Sequence, residues 1–267
     1  MKLHSLLLGS AVAGAMTLSA CQTDIEPNMG DVPGHVLEQL AAAGFSTNDV
    51  FAFEDGYLVE GDIYLTDVSL GELTGPMHIQ GEHYRTNNLV SGPRNISMSI
   101  PTGNRGFSST YVAALNEAVS RYNGENLTLS FSVTTSKKAD IKFSRLSSTD
   151  ENRGVLGSAG FPSANGSPYN SIKMSGILES RYGLSVNGIA TIMAHEMGHC
   201  IGFRHTDYMN RSYSCGSGGN EGDGGVGAIH IPGTPTNPSA NSWMLACTDG
   251  GNRDFTSADR TALDALY

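Results

Sequence analysis

Residues 184–205 read LSVNGIATIMAHEMGHCIGFRH, and this stretch decides how the chain is understood. His195 and His199 are four apart, so on a helix their imidazoles lie on one face, one turn from each other, where they can share a metal. Glu196 points roughly 100° further round, within reach of a metal-bound water without being a ligand. Ile189, Ile192 and Met193 offer an apolar surface that can seat the helix against a sheet. Gly202 follows His199 by three, and a glycine there can turn left-handed, end the helix and reverse the chain. His205, three residues on, then completes a set of three histidines. A lone HExxH also occurs on exposed amphipathic helices; the added Gly202 and His205 favour a metal site. Three neutral nitrogens with one open position is how catalytic zinc is held.

Beyond this helix, HEMGHCIGFRHTDYMNRSYSCG (195–216), AIHIPGTP (228–235) and SWMLAC (242–247) extend the pattern. Together they resemble the metzincin metallopeptidases and, more closely, the bacterial dual-action HEIGH metallopeptidases, from about residue 84 to the C-terminus. The resemblance implies an α+β catalytic domain: a twisted mixed sheet, two helices behind it, a zinc-binding active-site helix along the cleft floor, and an irregular C-terminal subdomain with a methionine turn. It makes Met244 the methionine beneath the zinc, packed but not ligating; Met209 matches less well. Ala246 stands where astacin-like relatives carry a ligating tyrosine, so that role has no residue here. Tyr208 either assists the reaction or is simply packed. Residues 171–174 are expected to form the upper edge strand of the cleft, binding extended peptide by strand addition. The implied activity is zinc-dependent endopeptidase, with one catalytic zinc on His195, His199 and His205, and Glu196 as general base. The rival readings are a non-catalytic zinc-binding surface or adhesion protein, and a hydrolase of a non-peptide amide.

The N-terminus carries other signals. Residues 1–21 have a Lys2 n-region, a short apolar core and small residues before Cys21, the proportions of a secretory signal. Leu18-Ser19-Ala20-Cys21 resembles a bacterial lipobox, which implies lipid on Cys21; the alternative is a plain signal cut at Ala20. Either way the chain is expected to leave a bacterial cell, anchored to the envelope or released after maturation. Residues 22–84 read as a linker and propeptide-like segment, and 85–267 as the catalytic domain. Within the former, Val59-Glu60-Gly61-Asp62-Ile63 resembles the Phe-x-Gly-Asp segment of astacin prodomains, with Val59 in place of Phe. That resemblance makes Asp62 a latency ligand filling the open zinc position; otherwise Gly61-Asp62 is a turn between two strands. Cleavage within 80–94 is expected to release the active domain.

With 26 acidic and 16 basic residues the net charge is −10. That argues against nucleic acid as a partner and against electrostatic docking to membranes, leaving a lipid anchor as the membrane link. The expected partner is a protein or peptide substrate, and the chain is expected to be a monomer. If Cys21 carries lipid, the remaining cysteines allow one disulfide, Cys215–Cys247 or Cys200–Cys215. The Gly-rich stretch with Asn220, Glu221 and Asp223, and residues 249–254, are weak calcium candidates without EF-hand spacing. His230 is expected to be structural, and His35, His78 and His83 solvated. Periodicity predicts helices over 35–43, 108–122 and 184–202. It predicts strands within 51–65 and over 95–100, 127–133, 139–143 and 171–174. Thr256 and Asp259 form a capping-box signature opening a last helix.

Overall fold

The computed structural model describes residues 32–71, 83–103, 106–221 and 227–267. Cys21, His78 and Asp223 lie outside the described residues. The elements in chain order are α1 (Gly34–Ala42), β1 (Phe51–Phe53), β2 (Gly56–Val59), β3 (Ile63–Thr66), α2 (Asp67–Gly71), β4 (Tyr84–Arg85), β5 (Arg94–Ser99), α3 (Ser109–Gly124) and β6 (Leu129–Val133). There follow β7 (Ile141–Arg145), α4 (Ser148–Asn152), β8 (Gly157–Ala159), β9 (Ser171–Met174), α5 (Val186–Ile201), α6 (Ser212–Cys215), β10 (Ile229–His230) and α7 (Ser257–Leu266). The fold is α+β. Among the described residues no helix is long and apolar enough to cross a membrane.

Eight strands form one sheet in the order β1-β2-β3-β8-β9-β7-β5-β6, while β4 and β10 pair separately. β6, β5, β7 and β9 run parallel, and β8 runs antiparallel to β9. Alternation places Ile96, Met98, Leu129, Phe131, Ile141, Phe143, Ile172 and Met174 in the core, while Asn95, Ser130 and Lys142 stay in water. This is the period-two signature of a sheet covered on one face. The cover is α3 and α5: Tyr111, Leu115 and Tyr122 share the main core with Ile189, Met193 and Met197. Tyr122 Oη, fully buried, donates to the Ala194 carbonyl at 2.8 Å and receives the Trp243 indole N–H at 3.1 Å.

The strand over 171–174 is present as β9 but is not the cleft's rim. It is flanked by β7 and β8, and β8, a three-residue segment outside the predicted strands, is itself flanked by β3. β3 lies against β8 in parallel, with Ile63 opposite Ala159 and the Ala159 N–H on the Asp62 carbonyl at 3.1 Å. The N-terminal meander therefore continues the sheet of β5 to β9. β3 is buried on both faces: Ile63 and Leu65 join Val36, Leu40 and Val59 on one side, and Tyr64 joins Leu146 and Val155 on the other.

The expected seam at residue 84 runs through β4. Arg204 N–H donates to the Tyr84 carbonyl at 2.9 Å and Thr86 N–H to the Gly202 carbonyl at 2.8 Å. His83 is not solvated, as its sequence context suggested. It is 1% exposed, with Nε2 2.7 Å from Asp259 Oδ1. Burial of this ring is allowed because Asp259 satisfies it. His35 is exposed, as expected.

Candidate metal centre

α5 starts where the Ser185 hydroxyl accepts the Gly188 N–H at 3.2 Å, and ends at Gly202, whose φ is +109°. A side chain is excluded at Gly202 twice over: the left-handed backbone disfavours one, and a Cβ would stand 2.8 Å from Leu89 Cδ2. From this turn the chain is held by residues 84–86 and brought back so that His205 faces His195 and His199. The three rings sit with centroids 4.7, 5.2 and 4.9 Å apart.

The outer nitrogens fix the rings. His195 Nδ1 lies 2.8 Å from the Trp243 carbonyl and His199 Nδ1 2.9 Å from the Phe203 carbonyl. A carbonyl only accepts, so both Nδ1 atoms carry protons, and in a neutral ring each Nε2 is then a bare lone pair. Those two Nε2 atoms face each other at 3.1 Å, which is repulsive unless a cation lies between them. Protonating His199 instead is opposed by burial first, then by His195 and His205, which push it well below its usual range. His205 Nδ1 is held by Glu221 Oε1 at 2.9 Å and Oε2 at 3.1 Å. Outer partners of this kind orient metal-ligating histidines.

Asp62 closes the fourth corner. Its Oδ2 is 3.3 Å from both His195 Nε2 and His205 Nε2, and Oδ1 is 3.9 Å from His199 Nε2. Burial opposes charge on Asp62, but His205 and then His195 outweigh it and hold the carboxyl well below its usual range. Tetrahedral zinc with ligand bonds of about 2.0–2.1 Å sets neighbouring donors about 3.3 Å apart. The donor set and its spacing fit zinc. Glu196 is 1% exposed, and its Oε2 has no hydrogen-bond partner. Burial first, then the Asp62 charge, raise its pKa well above the ordinary value. It rests on Gly157 of β8, where a Cβ would overlap its carboxylate.

Met244 packs closely on α5: a Cβ at Gly198 would meet its Sδ at 2.5 Å. This segment is tied down by Ser242, whose hydroxyl donates to Asp259 Oδ1 at 2.6 Å and accepts the Met244 N–H at 3.2 Å. Cys215 and Cys247 are joined by a disulfide, and Cys200 is buried and free. Tyr208 is packed against Tyr84 with ring centroids 4.1 Å apart. His230, half-buried in β10, shares a hydrogen bond with Thr234 at 3.0 Å.

Two groups escaped the sequence reading. Glu221, taken as part of a surface loop with weak calcium potential, is instead fully buried on His205. Residues 249–254 contribute to no metal-competent group among the described residues. Glu60 is also fully buried, 3.3 Å from Arg204 Nη2, which in turn lies 3.8 Å from Glu221 Oε2. The Arg204 guanidinium is stacked over Phe45 at 5.5 Å and Phe161 at 5.8 Å. Nothing local marks these roles. The only hint at Glu60 is the Gly that follows it, since both adopt positive φ, +58° and +96°.

The sequence profile of the dual-action HEIGH metallopeptidases matches residues 57–267. Among solved structures, one of myroilysin is similar at 13% identity and a TM-score of 0.44, covering 68% of this chain and 96% of that one. A second, a crystal structure of myroilysin, is similar at 10% identity and 0.40, covering 77% and 98%. No curated protein matches the chain.

Proposed function

The chain belongs to the dual-action HEIGH metallopeptidase family, and on that premise we propose that it is a zinc endopeptidase of metzincin type, made as a latent precursor. His195, His199 and His205 hold the zinc, Glu196 is the general base, and Asp62 is the latency ligand. The observation that carries this reading is the convergence of three histidine nitrogens and the Asp62 carboxylate, with the unpartnered Glu196 Oε2 beside them.

Zinc bound at this set supplies a Lewis acid that activates water and stabilises negative charge on a carbonyl oxygen. The chain supplies the rest. Glu196 takes the proton of the attacking water and passes it to the leaving amine. Gly157 lets it lie flush with β8. β8 offers backbone groups to an extended substrate, and β3 occupies that edge in the precursor, as strand addition would require. Met244 and Trp243 form the methionine turn under the rings. Departure of the segment carrying Asp62 opens the fourth position. The export signal, the lipid on Cys21 and the bacterial envelope as destination belong to the same reading. They motivate purifying the protein from both membrane and culture fluid.

The test is casein hydrolysis by purified protein, intact and after limited tryptic nicking, with Glu196→Gln alongside and zinc measured on each sample. Hydrolysis by the wild type alone, with about one zinc per chain in both, is expected. Hydrolysis by the zinc-replete variant would remove Glu196 from its role. Zinc in both with no hydrolysis of casein or a broad peptide library would leave a zinc-binding surface protein.

A further inference from the structure

A cavity of about 210 Å³ opens beside His195 and Glu196. Leu156, Ile192 and Leu245 give it apolar walls. Thr191, one turn before His195 on α5, lines it too, and its hydroxyl accepts the Arg253 N–H at 2.9 Å. This backbone bond anchors Arg253 at Thr191, four residues and about 6 Å along the helix from the first histidine.

The Arg253 side chain is 11% exposed. Nη1 donates to the Cys247 carbonyl at 2.9 Å, which fixes the plane of the guanidinium. Nη2 is 3.4 Å from Asp249 Oδ1, a carboxylate 73% exposed, and such a pair is weak because water screens it. Nε is buried with no hydrogen-bond partner. Arg211, the other cation lining the cavity, is engaged by buried Glu221 at 3.1 Å. The acidic residues of the lining are Asp62 and Glu196, both at the catalytic end. Of the N-terminal segment, Gly61, which has no side chain, and Asp62 line the cavity.

Arg253 lines an apolar cavity and its one acidic partner, Asp249, is exposed and screened, so its guanidinium can receive a carboxylate there. We propose that Arg253 is a specificity-determining residue: the cavity takes the side chain of a residue flanking the cut bond, and Arg253 favours aspartate or glutamate there. The inference rests on the endopeptidase reading and names its substrate class.

Full-length, zinc-loaded protein, before and after limited tryptic nicking, is given a peptide library and the cut sites are read by mass spectrometry. Acidic residues should be enriched at one position flanking the cut. A matched Glu/Gln peptide pair should differ about tenfold or more in kcat/KM. Arg253→Met should erase that ratio, and Arg253→Lys should retain part of it. Asp249→Asn, an exposed change, should widen it by freeing Nη2. No acidic enrichment in the wild type, or an unchanged ratio in Arg253→Met, overturns the proposal. If Arg253→Met fails to fold, an unchanged ratio in Asp249→Asn overturns it. A protein that cuts nothing defeats the endopeptidase reading separately. Calorimetric binding of the same pair to zinc-loaded Glu196→Gln protein then decides about Arg253, and equal affinities overturn its role.

Discussion

Gly157 shows how tightly single residues are set around Glu196. A Cβ there overlaps the Glu196 carboxylate, so Gly157→Ala should shift the base and lower kcat on the order of 10²-fold, with zinc content unchanged. Glu221 acts at one remove, through His205. Glu221→Gln should weaken zinc affinity roughly 10–100-fold, read by competition with a chelator. A pH effect is expected away from the metal. Burial disfavours charged Asp140, but the Ser97 hydroxyl and N–H and Arg94 outweigh it, so its pKa lies below the ordinary value. The folded state thus holds its proton less tightly than the unfolded chain. The resulting stability is complete above the unfolded value of about 3.9 and is lost as pH falls through the folded value. Asp140→Asn should remove that part of the acid dependence in denaturant titrations between pH 5 and pH 2 (roughly the range over which such a group titrates). Residue types at fixed spacing made His195, Glu196, His199 and His205 legible. Glu221 was hidden because its partner is set by folding, not by spacing.

Among the elements, α5 was the most legible, since its caps and its histidine spacing are local. Its end is the critical point. Gly202→Ala places an L-residue at a φ of +109°, at a backbone cost of about 1–2 kcal/mol, and crowds Leu89. The expected result is a lower Tm and a marked loss of zinc affinity, because His205 is delivered by this turn. The disulfide closes a loop of sequence separation 32, and the chain-entropy relation gives it roughly 3–4 kcal/mol. The Cys215→Ser/Cys247→Ser double variant should lose about that much in urea titration, and a loss near zero would show that the loop is held by Glu221 and Arg211 instead. α7 opens as its sequence predicts, with the Thr256–Asp259 capping box formed. The same Asp259 also holds Ser242 and His83, which no capping pattern reveals. β8 was missed because Gly-Ser-Ala has no period and little strand preference; its neighbours β9 and β3 make it a strand.

For the whole molecule, the decisive feature is that residues from both ends of the chain meet at one site. Asp62 and Glu60 come from the N-terminal meander, and the disulfide, Met244 and Arg253 from the far side of α5. If the meander holds the precursor silent, Asp62→Ala should release activity without nicking. Glu60→Ala should release it in part, since Arg204 keeps its stacking on Phe45 but loses the carboxyl group 3.3 Å from its Nη2. Both are read as casein hydrolysis by intact protein, and silence in both would leave the segment a purely structural part of the sheet. The sequence by itself determined the helix that carries His195, Glu196 and His199, the left-handed stop at Gly202, the α+β pattern and the last helix cap. Each depends on neighbours within a few residues, where periodicity and backbone sterics act directly. Only the tertiary structure decided that β8 joins the sheet between β9 and β3, that His83 and Glu221 are buried, and that Arg253 lines the cavity. Those are long-range pairings, fixed by which buried charge finds a partner and which strand edge finds a mate, and no local spacing encodes them.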